Sequence, residues 1–420
     1  MARFRHIVRN RDFSLLWFSQ IISQFGDRLD QMALLALVYR VAPGSTIQLA
    51  KLMAFTIIPV FVIGPMAGVY VDRWDRRRTM VVSDILRSLL VFSIAFYFIT
   101  WKALWPVYVV VFLVFCVSRF YVPAKMAIIP AIVKTDDLLL ANSLVNTTGM
   151  VAAMMGFGVG GILVAVVGAR GGFIIDAVSF LVAGVMIFFV SAKARQASKK
   201  EQILEIGRGI MAVVRKSVFQ ELREAVVFVR NQPQLRSCFG TLFFLWSALG
   251  AVYVVGIVFI QQVFGSATRE IGLLVVGLGL GLFLGSLTYG RLGHSKYSFK
   301  TIFACVFGGG MVLSVFITAV AKYPNLLLAM VLAFILGLAV SPVMVISQTL
   351  VHQLTDSSMH GRLFSSLEII VHFAFLLSML VAAPLADRLG PVTVLAGVSL
   401  LLMAIGAAGF FLKYDQARGA

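Results

Sequence analysis

Long apolar runs, each of about 20 residues or more, alternate with short polar stretches along the whole chain. The runs fall at roughly 13–40, 47–71, 79–100, 104–123, 139–167, 171–191, 236–264, 270–290, 300–321, 325–349, 362–385 and 391–412. Each is long enough to cross a bilayer as an α-helix, the form in which one segment satisfies all of its own backbone hydrogen bonds. Alternating ten-residue strands, the mark of a membrane barrel, do not occur. The pattern predicts an all-α integral membrane protein of twelve transmembrane helices in two pseudo-symmetric six-helix bundles. The longest polar stretch, 192–235, follows the sixth run. Within it FQELREAVVFVRN (219–231) repeats apolar positions at spacings of three and four, as a helix lying on the cytoplasmic membrane surface would. The expected organisation is a bundle over 1–191, a linker over 192–235 and a second bundle over 236–420. Three landmarks recur at nearly one offset: Gly68 of GVYVDR with Ser286 of SLTYGR, Pro123 with Pro342, and Asp137 with Asp356. That is the trace of duplicated halves, a frequent way to build a central site open to either side.

Composition sharpens this picture. Of 420 residues, 60% are hydrophobic and 13% charged, and mean hydropathy is +0.96. A soluble domain carries about 25% charged residues, so a soluble enzyme, a disordered chain and a secreted disulfide scaffold are excluded. The 3 cysteines, Cys116, Cys238 and Cys305, sit singly in apolar runs and suggest neither a disulfide framework nor a metal site. No nucleophile–histidine set points to an enzyme, and no cofactor is expected. The first apolar run is long and interrupted by charge, which predicts a retained span and no cleaved signal. The 36 Lys and Arg give a net charge of +18. With the N-terminus placed in the cytoplasm they divide 26 inside to 7 outside, with three within spans. This asymmetry predicts both termini in the cytoplasm. It explains the basic charge through topology and anionic lipid, with no nucleic-acid partner.

Charges within spans are the informative exceptions, because each costs about 2.5–3.5 kcal/mol at mid-membrane. They are Asp27, Arg28, Asp30, Asp84, Arg87, Arg119, Asp176 and Glu368. At about 100° per residue, Gln24, Asp27 and Gln31 fall within about 40° of Gln20, and Arg28 and Asp30 flank them at about 80° to either side. Such a stripe should face the bundle axis. It reads either as a cavity wall with Asp27 as the leading proton or cation site, or as acids that neutralise Arg28 or Arg87 and fix helix packing. Glu368 and His372 share a face in the eleventh span with Ser365, as a titrating couple or as a structural pair. Asp30, Glu368 and His372 join Asp27 as coupling candidates. Asp84 and Arg87, three apart, are expected to pair structurally, with Arg119 as a third member. Asp176 is expected at the outer end of its span. Gly277, Gly281 and Gly285 predict close helix packing.

The stretch from Gly68 through Asp72, Arg73, Asp75, Arg76 and Arg77 resembles the loop signature G-x-L-A-D-R-x-G-R-K of the major facilitator superfamily, with Asp75 where that family usually has Gly. The resemblance implies that Gly68, Asp72, Arg73, Arg76 and Arg77 form a conformational gating element that latches the outward-facing state. FSLLWFSQIISQFGD (13–27), PAKMAIIPAIV (123–133), LLLANSL (138–144), IIDAVSFL (174–181), FQELREAVVFVRNQPQLR (219–236) and GRLFS (361–365) resemble the branch of macrolide-type efflux proteins and siderophore exporters. Gly156, Gly158, Gly160 and Gly161 look like the antiporter signature G-P-x-x-G-G, with Phe157 in place of Pro. The family implies a monomeric exporter in a bacterial inner membrane, moving small amphipathic molecules by proton- or sodium-coupled alternating access. Its cavity would be walled by spans 1, 4, 7 and 10. Gln20, Gln24, Arg28, Gln31, Asn142, Asn146, Trp246 and Gln348 are the candidate cavity contacts. A lysophospholipid translocator group shares the GD of helix 1 and the PAK…AN pattern, and is the alternative.

Overall fold

A computed structural model describes residues 2–71, 73–100, 103–191, 233–292, 299–353 and 360–411. The described residues form helices and short connections, with no strand among them. They are α1 (Ala2–Arg9), α2 (Arg11–Val41), α3 (Thr46–Val62), α4 (Gly64–Val71), α5 (Arg76–Thr100), α6 (Trp105–Ile132), α7 (Leu138–Phe188), α8 (Pro233–Phe264), α9 (Arg269–Leu292), α10 (Phe299–Lys322), α11 (Leu326–Gln353), α12 (His360–Leu389) and α13 (Pro391–Phe411). Twelve spans follow once three local events are read correctly.

First, α1 is a short amphipathic arm before the first span, α2. Asn10 separates them: its side-chain oxygen accepts from the Asp12 and Phe13 amides at 3.1 and 3.3 Å, a helix N-cap. Second, the expected span 47–71 is broken into α3 and α4. Pro65 offers no amide hydrogen, so the ladder restarts from the Ile63 carbonyl, which accepts from Met66 and Ala67 at 3.0 and 2.9 Å. Third, α7 contains two spans. Gly168 (φ 75, ψ 171) turns the chain where a side chain would be strained, and divides α7 into a first arm, 138–167, and a second, 169–188. Nine of the described segments are long and apolar enough to cross a membrane, and α7 is one of these nine. The first span, α2, has the length but carries Asp27, Arg28 and Asp30 in its middle.

The described residues gather into two compact units. The first holds residues up to 191, less 44–50, together with 267–272. The second holds 44–50 and the remainder from 233 onward. The amphipathic stretch 219–231, expected in the linker, lies outside the described residues.

In the first unit α2 lies along both arms of α7, and glycines let it approach. A Cβ at Gly160 would sit 3.3 Å from the Leu29 Cα, and one at Gly172 would sit 2.8 Å from the Ala33 Cβ. At one end of the unit Phe13, Leu16, Ala124, Ile128 and Ala141 form a fully buried apolar layer. Polar hooks fasten its rim: Asn10 Nδ2 donates to the Ile132 carbonyl at 2.7 Å, and Asp12 accepts from the Ser191 amide and hydroxyl at 3.0 and 2.5 Å. The second unit uses small residues as its joints. Gly277, Gly281 and Gly285 of α9 face Met330, Phe334, Gly337 and Ser341 of α11, and a Cβ at Gly281 would lie 3.1 Å from the Gly337 Cα. This is the close packing the spacing predicts.

Candidate functional site

The interruptions of α2 converge on one cavity of about 270 Å³ within the first unit. Gln20, Ser23, Gln24, Asp27, Arg28, Asp30 and Gln31 line it from α2. Arg87 enters from α5, Arg119, Tyr121 and Lys125 from α6, and Asp176 from the second arm of α7. The stripe read from the helical wheel, with both flanking charges, therefore faces the interior of this unit. A cavity this size holds several waters, which lowers the cost of keeping ions at that depth.

Arg87 is its best-anchored member. It is 3% exposed and forms an ion pair with Asp84, which is fully buried one turn earlier on α5. Its guanidinium carbon lies 4.3 Å from the Tyr121 ring centre and 4.2 Å from that of Phe180, a cation held between two aromatic faces. The Tyr121 hydroxyl in turn accepts from Gln20 Nε2. The expected Asp84–Arg87 pairing is present. Arg119 lines the same cavity. Arg28 donates to Gln31 Oε1 at 3.1 Å and lies 5.1 Å from the Phe157 ring centre. Phe157, standing where an antiporter-type Pro would be, thus supplies an aromatic face for a cavity cation. Gly156 beside it makes the approach possible, since a Cβ there would sit 2.8 Å from the Arg28 Cβ.

Two members differ from expectation. Asp176 is no helix-terminus charge at an outer end: it is fully buried in the second arm of α7 and lines the cavity. The kink at Gly168 places it two turns into its span, and Gly26 of α2 leaves the space it occupies, since a Cβ at 26 would collide with Asp176 Oδ1 and Ser179 Oγ. Lys125 lies two residues beyond the expected span 104–123, yet within the helix. α6 continues through Pro123 and Pro130 to Ile132, so Lys125 lies inside the span. The apolar run MAIIPAI after Lys125 was the signal for a longer helix, because membrane helices tolerate proline.

Other sequence candidates lie elsewhere. Asn142 and Asn146 are exposed on the first arm of α7 and do not line this cavity. Trp246 packs in the second unit, 6.4 Å from the Phe375 ring. His372 is half-buried in that unit, while the side chains of Gln348 and Glu368 lie outside the described residues. In the loop before α5, Asp72 is outside the described residues and Arg73 is exposed. Arg76 donates to the Ala127 carbonyl and Arg77 to the Val190 carbonyl, each at 2.7 Å. Both bonds stay within the first unit and tie α5 to the ends of α6 and α7. No group of three His, Cys, Asp or Glu side chains suited to a metal occurs among the described residues.

The sequence model of the Major Facilitator Superfamily matches residues 16–375. The chain belongs to this superfamily. As a member it is a multi-pass membrane transporter. An uncharacterised transporter of the superfamily from Bacillus subtilis, YfiS, is 25% identical over 92% of this chain and 90% of its own length. Macrolide efflux protein A of Streptococcus pyogenes is 22% identical over 90% of both chains. Among solved structures, the nucleoside transporter NupG superposes with a TM-score of 0.73 at 12% identity, covering 96% of this chain and all of that one, a likeness of fold.

Proposed function

We propose that this superfamily member exports small amphipathic molecules and draws its energy from protons through the acids of the first-unit cavity. The observation that carries the reading is the gathering of Asp27, Asp30 and Asp176 with Arg28, Arg87, Arg119 and Lys125 around one cavity, with Asp84 behind Arg87. The ion pair with Asp84 already neutralises Arg87. The remaining three acids and three bases balance when ionised, so adding or removing one proton changes the cavity by a full charge where screening is weak. A charge moving through 100 mV supplies about 2.3 kcal/mol, or about a fiftyfold gradient. Similarity to a macrolide efflux protein supports outward movement of amphipathic substrates.

The supporting organisation is a bundle over 1–191 and another over 236–420, joined by 192–235. Both termini would lie in the cytoplasm of a bacterial inner membrane. Gly68, Asp72, Arg73, Arg76 and Arg77 would latch one state, and Asn142, Asn146, Trp246, Gln348, Glu368 and His372 would contribute beyond the first-unit cavity.

The test is flux in proteoliposomes with an imposed pH gradient, across a panel of macrolides, cationic dyes, siderophores and a lysophospholipid. Gradient-dependent export of an amphipathic drug or siderophore, lost in Asp27→Asn without loss of folded protein, is the expected result. Undiminished gradient-driven flux in that variant would remove Asp27 from coupling. Movement of lysophospholipid alone, indifferent to the gradient, would replace this reading with lipid translocation.

A further inference from the structure

The acids of the cavity are not equivalent. Asp27 is half-buried and lines the cavity together with Arg28, Arg87 and Lys125. None of the three acids has a Lys, Arg or His nitrogen within 4.0 Å among the described residues, but Asp30 and Asp176 are buried more deeply. Asp30 is 7% exposed and Asp176 is 0% exposed. Asp30 Oδ1 and Asp176 Oδ2 are both buried without a hydrogen-bond partner. The Ser179 hydroxyl divides its single hydrogen between the Asp176 backbone carbonyl at 2.8 Å and Asp176 Oδ1 at 3.1 Å, leaving Oδ2 bare.

Register sets these two acids on facing turns. Gly26 of α2 lies against Asp176 and Ser179, and Ala33 lies against Gly172. The second arm of α7 therefore runs antiparallel to α2. Asp30, one turn past Gly26, falls opposite the turn between Gly172 and Asp176. The facing groups from the other elements are Asp27 and Arg28 on α2, Asp84 and Arg87 on α5, and Arg119, Tyr121 and Lys125 on α6. Arg87 is committed to Asp84, and Arg28 leans on Phe157 and Gln31. Two facing buried carboxylates with no cation in salt-bridge range would repel each other and leave lone pairs unsatisfied. A proton on one turns a bare acceptor into a donor for the other and removes both costs at once.

We infer that Asp30 and Asp176 form a proton-holding couple between α2 and the second arm of α7, while Asp27 is the acid that faces the cavity and its cations. The proton comes from cavity water and returns to it, so no other reagent is needed. The inference deepens the proton-coupled reading above by naming where the proton rests and by dividing the roles of the three acids. Gly26 becomes a functional glycine, since its missing side chain makes the couple possible.

The test is infrared spectroscopy of the full chain in lipid nanodiscs, with aspartate carboxyls labelled with carbon-13. At neutral pH the native chain should show a protonated aspartic-acid carbonyl band that shifts with the label. The band should vanish in Asp30→Asn and in Asp176→Asn and persist in Asp27→Asn. Asp176→Glu, labelled on glutamate instead, should gain a protonated glutamic-acid band absent from the native chain, which gives a readout that keeps the acid and does not depend on the Asn variants folding. No protonated aspartate in the native chain, or a band that survives either Asn replacement, overturns the assignment. The measurement detects the proton without transport. Failure of gradient-driven flux would therefore sink the proposed function and leave this result standing, and the reverse also holds.

Discussion

The two units are made of the same material, long apolar helices with glycine joints, but they bury different things. Inside the first, Asp30, Asp84, Arg87, Asp137 and Asp176 are all less than 9% exposed. Inside the second, the buried polar side chains among the described residues are Thr46, Thr241, Gln261, Ser341, Ser347 and Ser399, none of them charged. Hydroxyls can return their hydrogen bonds to nearby backbone, as Ser341 and Ser399 do with the Leu338 and Ala396 carbonyls at 3.2 and 2.8 Å. Charges need a counter-ion or water as well, and they oblige the first unit to keep both in its interior. The lesson is that packing and chemistry are separable in this fold. The second unit solves the packing problem alone, while the first solves packing around a fixed electrostatic load.

That contrast is broken most forcefully at Arg87. Replacing it by Leu leaves Asp84 fully buried without its cation, and removing one partner of a buried pair costs about 3–5 kcal/mol. Adding Asp84→Leu to the same chain should recover most of that loss, because two apolar side chains replace two charges of opposite sign. Unfolding in detergent, followed by the loss of helical signal across the two single variants and the double, reads the cycle. A double variant as unstable as Arg87→Leu would mean that the aromatic sandwich of Tyr121 and Phe180 holds the site, and the ion pair is secondary.

How much of this was legible in the sequence depends on the length scale of each signal. Apolar run length is a property of single segments, so the spans were readable, and the wheel placed Gln20, Gln24, Asp27 and Gln31 on one face because they share one helix. Asp176 was misread because its depth depends on a turn eight residues earlier, at Gly168, and its neighbour is a glycine 150 positions away. The expected span 104–123 is too short because Pro123 resembles a helix end, when a membrane helix has no better option than to continue. The break at Ile63–Gly64 was hidden for the opposite reason: hydropathy stays high across it, and only the missing amide of Pro65 marks it. Pairings across helices, such as Arg76 with the Ala127 carbonyl, leave no periodic trace at all.

A smaller effect sharpens the comparison from the side of the second unit. If that unit is held by close helix approach, Gly281→Ala should destabilise the protein by about 1–3 kcal/mol, since the new methyl would collide with the Phe334 carbonyl and crowd Gly337. Gly397→Ala, at a helical glycine with nothing within 4 Å, serves as the control. It should be neutral or stabilise by up to about 1 kcal/mol, because alanine is the better helix former. The same detergent unfolding reads both. Equal effects at 281 and 397 would show that backbone freedom, and not packing, explains these glycines.

The finest distinction lies at the caps. Each unit has an asparagine beginning a helix: Asn10 ahead of α2, and Asn325 ahead of α11, where its side-chain oxygen accepts from the Leu328 amide at 3.1 Å. Alanine at either position should cost about 1 kcal/mol through loss of the cap. Aspartate separates them. At 325 the carboxylate still accepts from the amide and sits at the favourable end of the helix dipole, so Asn325→Asp should leave stability within about 0.5 kcal/mol of the native chain. Asn10 also donates, from Nδ2 to the Ile132 carbonyl at 2.7 Å, and an aspartate has no hydrogen to give. Asn10→Asp should therefore keep the cap and still lose about 0.5–1.5 kcal/mol. The difference between the two aspartate variants measures what the interhelical bond of Asn10 in the first unit adds over the local cap of Asn325 in the second. Identical stabilities for Asn10→Asp and Asn325→Asp would erase that part of the contrast and leave the buried charges as the sole difference between the units.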